Sequence, residues 1–194
     1  MVIIDCQLPN QKMQHQKVFK QRLISIAGIC LVFAIVGCQQ NVVVRSSIDK
    51  RALITAMYQK YAAEFPQVQS ITVEDLQQLQ ERGEKIVLVD VRSPKERLVS
   101  TIPGAIATAE FEANLEHYRN SDAIIIAYCT IGYRSGRYAQ KLKQQGIKIF
   151  NLEGSLLAWT HVRGELVNSN GSTHKIHVFN RQWQLTADSY QPVW

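Results

Sequence analysis

A three-layer α/β fold, with a central parallel β-sheet flanked by helices, is what this sequence predicts, and three observations carry the prediction. Ile86-Val87-Leu88-Val89-Asp90-Val91 is a continuous apolar, β-branched run, as expected of a strand buried on both faces. Ala123-Ile124-Ile125-Ile126-Ala127-Tyr128 is a second such run, and Ile147-Lys148-Ile149-Phe150 a third. Helical patterns separate them, the alternation that argues for βαβ units, and such sheets bind ligands outside the carboxyl ends of their strands.

Composition agrees with an ordinary core-forming domain plus appendages. The chain has 194 residues, 46% hydrophobic and 20% charged, which excludes a disordered or mainly membrane-embedded protein. Its 10 glycines and 5 prolines follow no period, and 4 cysteines are too few for a disulfide scaffold, so an apolar core must hold the domain together.

In chain order, residues 1–37 read as a signal peptide. Lys17, Lys20 and Arg22 precede an apolar run from Leu23 to Gly37, which is short for a membrane span of roughly 20 residues. The end of the run, Ile35-Val36-Gly37-Cys38, resembles the lipobox of bacterial lipoproteins, which makes Cys38 the expected lipidation site and the mature domain membrane-anchored on the periplasmic or outer side. An uncleaved anchor helix is the alternative. Residues 1–37 carry Lys12, Lys17, Lys20 and Arg22 against Asp5, so the remainder keeps 18 Lys/Arg and 15 Asp/Glu and its charge drops from +6 to +3. No basic stripe interleaved with aromatics remains, and no nucleic-acid partner is expected.

Residues 38–70 read as a tether followed by an amino-terminal helix from about Ile48 to Glu64, with Ile48, Ala52, Leu53, Ala56 and Ala63 towards one side and Pro66 after it. Residues 71–166 carry the domain. Thr72 and Asp75 form a variant capping box for a helix that Gly83 ends; Glu110 to Tyr118 is a helix with Phe111, Leu115 and Tyr118 on one side; Ser135 to Gln145 is a helix closed by Gly146. Residues 167–194 form an extension packed against the domain or near its active loop. There Lys175 to Phe179 and Arg181 to Leu185 flank a short turn and predict a β-hairpin-like tail, while Asn170-Gly171-Ser172 reads as a turn joining strands.

The chemistry concentrates in Cys129-Thr130-Ile131-Gly132-Tyr133-Arg134-Ser135, between the second strand and a helix. With the signal gone and Cys38 blocked, Cys129 is the one free thiol. A strand-to-helix turn gathers backbone N–H groups and the positive end of the helix dipole, a setting that binds anions and favours thiolate. Arg134 adds a full positive charge, and Gly132 lets the loop bend where a side chain would crowd it.

Four blocks in order resemble the rhodanese-like family over about Ile71 to Leu166: Asp90-Val91-Arg92 with Glu96, Ile102-Pro103-Gly104-Ala105, the Cys-x-x-Gly-x-Arg-Ser loop at Cys129, and Asn151-Leu152-Glu153-Gly154 followed by Ala158-Trp159. The resemblance implies sulfur transfer. Cys129 takes a sulfane sulfur from a small anionic donor such as thiosulfate, holds it as a persulfide and passes it to a thiol or cyanide-like acceptor, without metal or organic cofactor. It implies that Thr130, Ile131, Gly132, Tyr133, Arg134 and Ser135 cradle the substrate, with Asp90, Arg92 and Glu96 supporting the loop and sheet. The sequence departs from the family at Ser100-Thr101, Arg97 and Ser155.

Two other functions stay open on sequence alone: a membrane-tethered non-catalytic binding module, and a phosphatase or arsenate reductase-like enzyme. Phosphatase loops carry one residue more between cysteine and arginine than the four here, Thr130 to Tyr133, so the shorter ring favours a single sulfur atom. His174 and His177 are spaced oddly for one face of a strand, which argues against a metal pair.

Overall fold

The structure, a computed structural model, describes residues 49–194; Cys38, the apolar run and the amino-terminal tether lie outside the described residues. A helix α1 runs through residues 49–62. Five strands, β1 (Gln69–Ile71), β2 (Ile86–Asp90), β3 (Ile106–Ala107), β4 (Ile124–Tyr128) and β5 (Ile149–Leu152), form one parallel sheet in the order β1-β5-β4-β2-β3. Between them come α2 (Val73–Glu81), α3 (Pro94–Val99), α4 (Thr108–Ala113), α5 (Leu115–Arg119) and α6 (Tyr133–Gln144), and α7 (Ser155–His161) follows β5.

The three layers follow from strand alternation. Leu88, Ile126, Tyr128 and Leu152 enter a core with Ile54 of α1, Val73 and Leu76 of α2 and Leu156, Leu157 and Trp159 of α7. Their neighbours Val89, Ile125, Ala127 and Ile149 enter a second core with Phe111 of α4 and Ala139 and Leu142 of α6. Successive side chains on a strand point to opposite faces, so two separate clusters mean helices on both sides of the sheet.

Local expectations hold at the helix ends. Thr72 accepts a hydrogen bond from the Asp75 amide while the Asp75 carboxylate accepts one from the Thr72 amide, and Gly83, at φ +66°, follows the end of α2. Helix α1 turns a different face inward than the sequence suggests. Ile54 and Tyr58 are its buried side chains, with Met57 and Tyr61 packed beside them, whereas Leu53 is exposed. The larger side chains at helical spacing define the buried stripe, and the alanines fall beside it. The segment 110–118 is two helices, α4 and α5, meeting at Asn114; the Phe111 and Tyr118 rings still stack, 4.7 Å apart, across the break.

The carboxy-terminal tail departs from expectation. An antiparallel hairpin exists, but at residues 167–172, where β6 (Val167–Asn168) pairs with β7 (Gly171–Ser172) around a turn at Ser169 and Asn170, so that Gly171 and Ser172, expected in the turn, are strand. The expected pairing of residues 175–179 with 181–185 does not form. β8 (Lys175–His177) instead pairs in parallel with β9 (Gln191–Val193), and Arg181–Trp183 is a 3-10 turn that Asn180 caps by accepting from the Gln182 amide at 2.9 Å. That cap closes the chain into a turn where a second strand had been expected. The tail belongs to the core nonetheless: Ile176 and Val178 are fully buried in the cluster of Leu156 and Trp159, and the Tyr190 hydroxyl donates to the Gly164 carbonyl at 2.7 Å.

Candidate active site

In-register pairing puts Asp90 beside Tyr128 and Ala127 beside Asn151, so the carboxyl ends of β2, β4 and β5 lie level. Cys129 leaves β4 at that edge and is 1% exposed. The loop 129–132 then turns into α6, with Gly132 in the left-handed region at φ +106°. A Cβ there would come within 2.6 Å of the Tyr58 ring, so both conformation and space require glycine.

The loop is tied down on its outer side, leaving inward donors for the sulfur. The Cys129 amide donates to Ser155 Oγ at 3.1 Å and the Ser155 hydroxyl donates to the Leu152 carbonyl. Leu156 and Leu157 amides reach the carbonyls of Cys129 and Thr130. Asn151 donates to the Gly132 carbonyl at 2.9 Å and to the Tyr58 hydroxyl at 3.2 Å. The Gly132 amide points at the sulfur, 3.1 Å from Sγ.

Burial pushes the Cys129 thiol up, but the Ser135 hydroxyl and amide, the Gly132 amide and the Arg134 charge together outweigh it, and the net shift is downward. The Ser135 hydroxyl is fully buried and has no hydrogen-bond partner of normal geometry. A buried donor left unmatched beside a thiol gains its partner when the sulfur becomes anionic or is extended by a second sulfur.

Arg134 does not stand free over the sulfur. Its two terminal nitrogens donate to the two Glu96 oxygens at 2.8 and 2.6 Å, and one also donates to Thr130 Oγ1 at 3.2 Å. Glu96 is at the same time the third residue of α3 and closes a capping box with Ser93. Burial alone would raise its carboxyl, but Arg134 and the Ser93 hydroxyl and amide hold it down at about 2.

A second buried network lies behind the loop. Arg92 donates to both oxygens of Asp90, at 2.9 and 2.6 Å, and to the Ser100 carbonyl; both side chains of the ion pair are fully buried. Asp90 also accepts from Thr101 Oγ1 at 3.1 Å and from the Tyr128 hydroxyl at 2.8 Å. The network therefore binds the end of β2, the segment after α3 and the residue preceding Cys129. Burial and the Asp90 charge push the Tyr128 phenol far up, so it stays a donor.

The residues singled out in the loop and Asp90, Arg92 and Glu96 thus converge on one edge of the sheet. Sequence reasoning missed Tyr58, Asn151 and Ser155 around the loop and Thr101 behind it. Two of these, Ser155 and Thr101, are positions where the chain departs from the family pattern, and that was the available signal. Ser155 takes a positive φ of +46°, a conformation that glycine adopts more readily.

Over Cys129 opens a cleft of about 290 Å³ lined by the loop residues Thr130, Ile131, Tyr133 and Arg134 and by Tyr61, Phe179 and Trp183. His174, by contrast, packs near the Tyr190 ring, 5.5 Å away, and is not part of the cleft lining.

A buried cysteine at the end of a parallel strand, with amide and hydroxyl donors and an arginine around its sulfur, is the centre of the site. Residues 72–161 match the Rhodanese-like domain family, and the chain belongs to it. A sulfurtransferase of Allochromatium vinosum is 34% identical over 97 residues, covering 47% of this chain and 88% of that protein. The Bacillus subtilis protein YtwF, provisionally named a sulfurtransferase, is 30% identical over 95 residues, 48% of this chain and 91% of its own. A thiosulfate sulfurtransferase from Pseudomonas aeruginosa shares the fold with a TM-score of 0.51 at 24% identity, over 67% of this chain; the match spans 25% of that enzyme.

Proposed function

We propose that this protein is a sulfurtransferase, or sulfur carrier, that takes a sulfane sulfur from an anionic donor such as thiosulfate and passes it, as a Cys129 persulfide, to a thiophilic acceptor. The Cys129 thiolate attacks the outer sulfur of thiosulfate. The bond between the two donor sulfurs breaks with its electron pair, sulfite leaves, and Cys129 holds a terminal persulfide anion. An acceptor such as cyanide then takes the outer sulfur as thiocyanate and the thiolate returns.

The observation that carries this reading is the set of inward donors at one sulfur: the Gly132 amide at 3.1 Å, the unpartnered Ser135 hydroxyl and the nearby Arg134 charge, which together draw the thiol pKa down despite burial. Preorganised donors stabilise the anion at no reorganisation cost. In this reading Cys129 is the nucleophile, the residues Thr130 to Ser135 hold the extended sulfur, and Asp90, Arg92 and Glu96 fix the loop against the sheet. The same reading places the domain outside the cytoplasm on a Cys38 lipid anchor, on the strength of the lipobox-like residues preceding it.

The test is the intact mass of the protein before and after thiosulfate, with and without cyanide, beside Cys129→Ser. A gain of one sulfur that cyanide removes and the variant lacks is expected. A folded wild-type protein that gains nothing from thiosulfate or from inorganic polysulfide would leave a tethered binding module, and turnover of a phosphate ester would indicate phosphatase chemistry.

A further inference from the structure

The cleft over Cys129 is finished by residues from outside the matched domain. Residues 72–161 supply its floor and one flank, Cys129, Thr130, Ile131, Tyr133 and Arg134; Tyr61 comes from α1, and Phe179 and Trp183 come from the tail. Two tilted aromatic pairs result, Tyr61 with Tyr133 at 5.2 Å and Phe179 with Trp183 at 6.0 Å. Phe179 is 73% exposed, and its ring pairs with that of Trp183 on the rim of the cleft.

Charge decides what suits such walls. Among the described residues, Arg134 is the one charged residue lining the cleft, and its guanidinium is already paired through both terminal nitrogens with Glu96. The positive field is therefore confined to the floor, where the loop amides and Arg134 act on the Cys129 sulfur and its anionic donor, and the outer walls carry no charge for an acceptor. What the walls offer instead is apolar and aromatic surface, from Tyr61, Ile131, Tyr133, Phe179 and Trp183, against which a ring can stack. Tyr133 adds only its ring face, because its hydroxyl reaches Glu64 and Arg137.

Resting on the sulfur-carrier reading above, we infer that the acceptor discharged at Cys129 is an organic thiol with a flat, apolar, ring-sized body, which the Phe179–Trp183 pair seats so that its sulfur faces the persulfide. The acceptor thiolate attacks the outer sulfur of the Cys129 persulfide, the sulfur–sulfur bond to Cys129 breaks with its electron pair, and the acceptor leaves as its own persulfide. Charge and electrons balance, with no oxidant or reductant consumed. The tail that completes the cleft thereby sets acceptor choice.

The experiment loads the full-length protein with sulfur from thiosulfate or inorganic polysulfide and follows discharge by intact mass with two acceptors, benzyl mercaptan and 2-mercaptoethanol. Their rate ratio is compared in wild type, Phe179→Ala and Phe179→Trp, so that intrinsic thiol reactivity cancels. Truncating an exposed ring leaves the core untouched. The preference for the aromatic thiol is expected to fall about tenfold in Phe179→Ala, the loss of one aromatic contact, and to be kept in Phe179→Trp. An equal ratio in wild type and Phe179→Ala overturns the acceptor class while leaving the sulfur carrier standing. Failure to load any sulfur on Cys129 overturns the carrier reading and the acceptor with it.

Discussion

Arg134 and Glu96, 38 residues apart in the chain, meet through two parallel hydrogen bonds of 2.8 and 2.6 Å, and the same carboxylate caps the helix on which it stands. One side chain thus joins α3 to the head of α6 and holds the arginine at the mouth of the cysteine loop. Because the carboxyl is drawn down from 4.5 to about 2, its contribution to stability is complete above the ordinary carboxylate range and disappears as pH falls through about 2. Unfolding by urea at a series of pH values should show wild type losing stability across that window and Glu96→Gln responding less. At neutral pH Glu96→Ala, which removes both the cap and the pair, should cost about 2 kcal/mol; an unchanged midpoint would contradict the double role.

Behind the loop, the Asp90–Arg92 pair is fully buried, and Arg92 has a further partner in the Ser100 carbonyl. Removing one member strands the other charge away from water. Asp90→Ala should therefore destabilise the fold by about 3–5 kcal/mol, well beyond the effect of a typical surface substitution, and denaturant unfolding followed by circular dichroism measures it. Replacing both residues together should cost less than the sum of the single changes, because no charge is left without a partner.

Gly132 takes a φ of +106°, and a Cβ would press on the Tyr58 ring at 2.6 Å. Gly132→Ala should lose about 2 kcal/mol or more from backbone strain alone and should slow sulfur loading, since the amide that faces Cys129 Sγ belongs to the same residue. Thermal unfolding and the rate of mass gain with thiosulfate check the two consequences separately. A variant with normal stability would show that the loop relaxes freely.

How much of this was legible in the sequence depends on the range of the interactions. Strands β2 and β4 are plain because burial on both faces leaves an apolar run rich in β-branched residues, as in Ile86 to Val89 and Ile124 to Ile126, whereas the third expected strand, Ile147 to Phe150, lies two residues further on at Ile149–Leu152 and the two-residue β3 carries no pattern. The capping residues Thr72 and Ser93 act within three residues, and Thr72 was legible for that reason. Edge strand β1, three residues long, carries no such pattern. The inward face of α1 was misjudged because the small alanines do not define a stripe, and the partner of β8 was misplaced because it lies beyond the capped turn at Asn180.

The site shows the same division. Cys129, Gly132, Arg134 and Ser135 fall within one short motif and could be read together. Tyr58, Phe179 and Trp183 reach the loop from outside the family-like segment, and no local pattern announces them, while Asn151 and Ser155 stand in or beside a family-like block that gives no sign of their contact with the loop. The motif shows Arg134 adding a full positive charge beside the cysteine; that this charge is shared with Glu96 is a tertiary fact that single-sequence reading does not supply.

The titration of Cys129 brings loop geometry and chemistry to a single number. Burial raises the thiol, and the Ser135 hydroxyl is the largest influence drawing it down, ahead of the Ser135 and Gly132 amides and the Arg134 charge. Alkylation by iodoacetamide follows the thiolate, so the wild-type rate should hold its plateau to a pH below the ordinary thiol value of about 8.5 before it falls. Ser135→Ala should move the inflection upward and slow the reaction several-fold at neutral pH, and its cost in stability should appear only where the thiol is ionised, since the hydroxyl has no other partner in the fold. The linked stability has a definite sign: a depressed thiol favours the folded state above its unfolded value and loses that advantage as pH falls through the folded one. An inflection at the ordinary thiol value in wild type would mean that burial outweighs the donors, and the preorganised anion site would lose its physical basis.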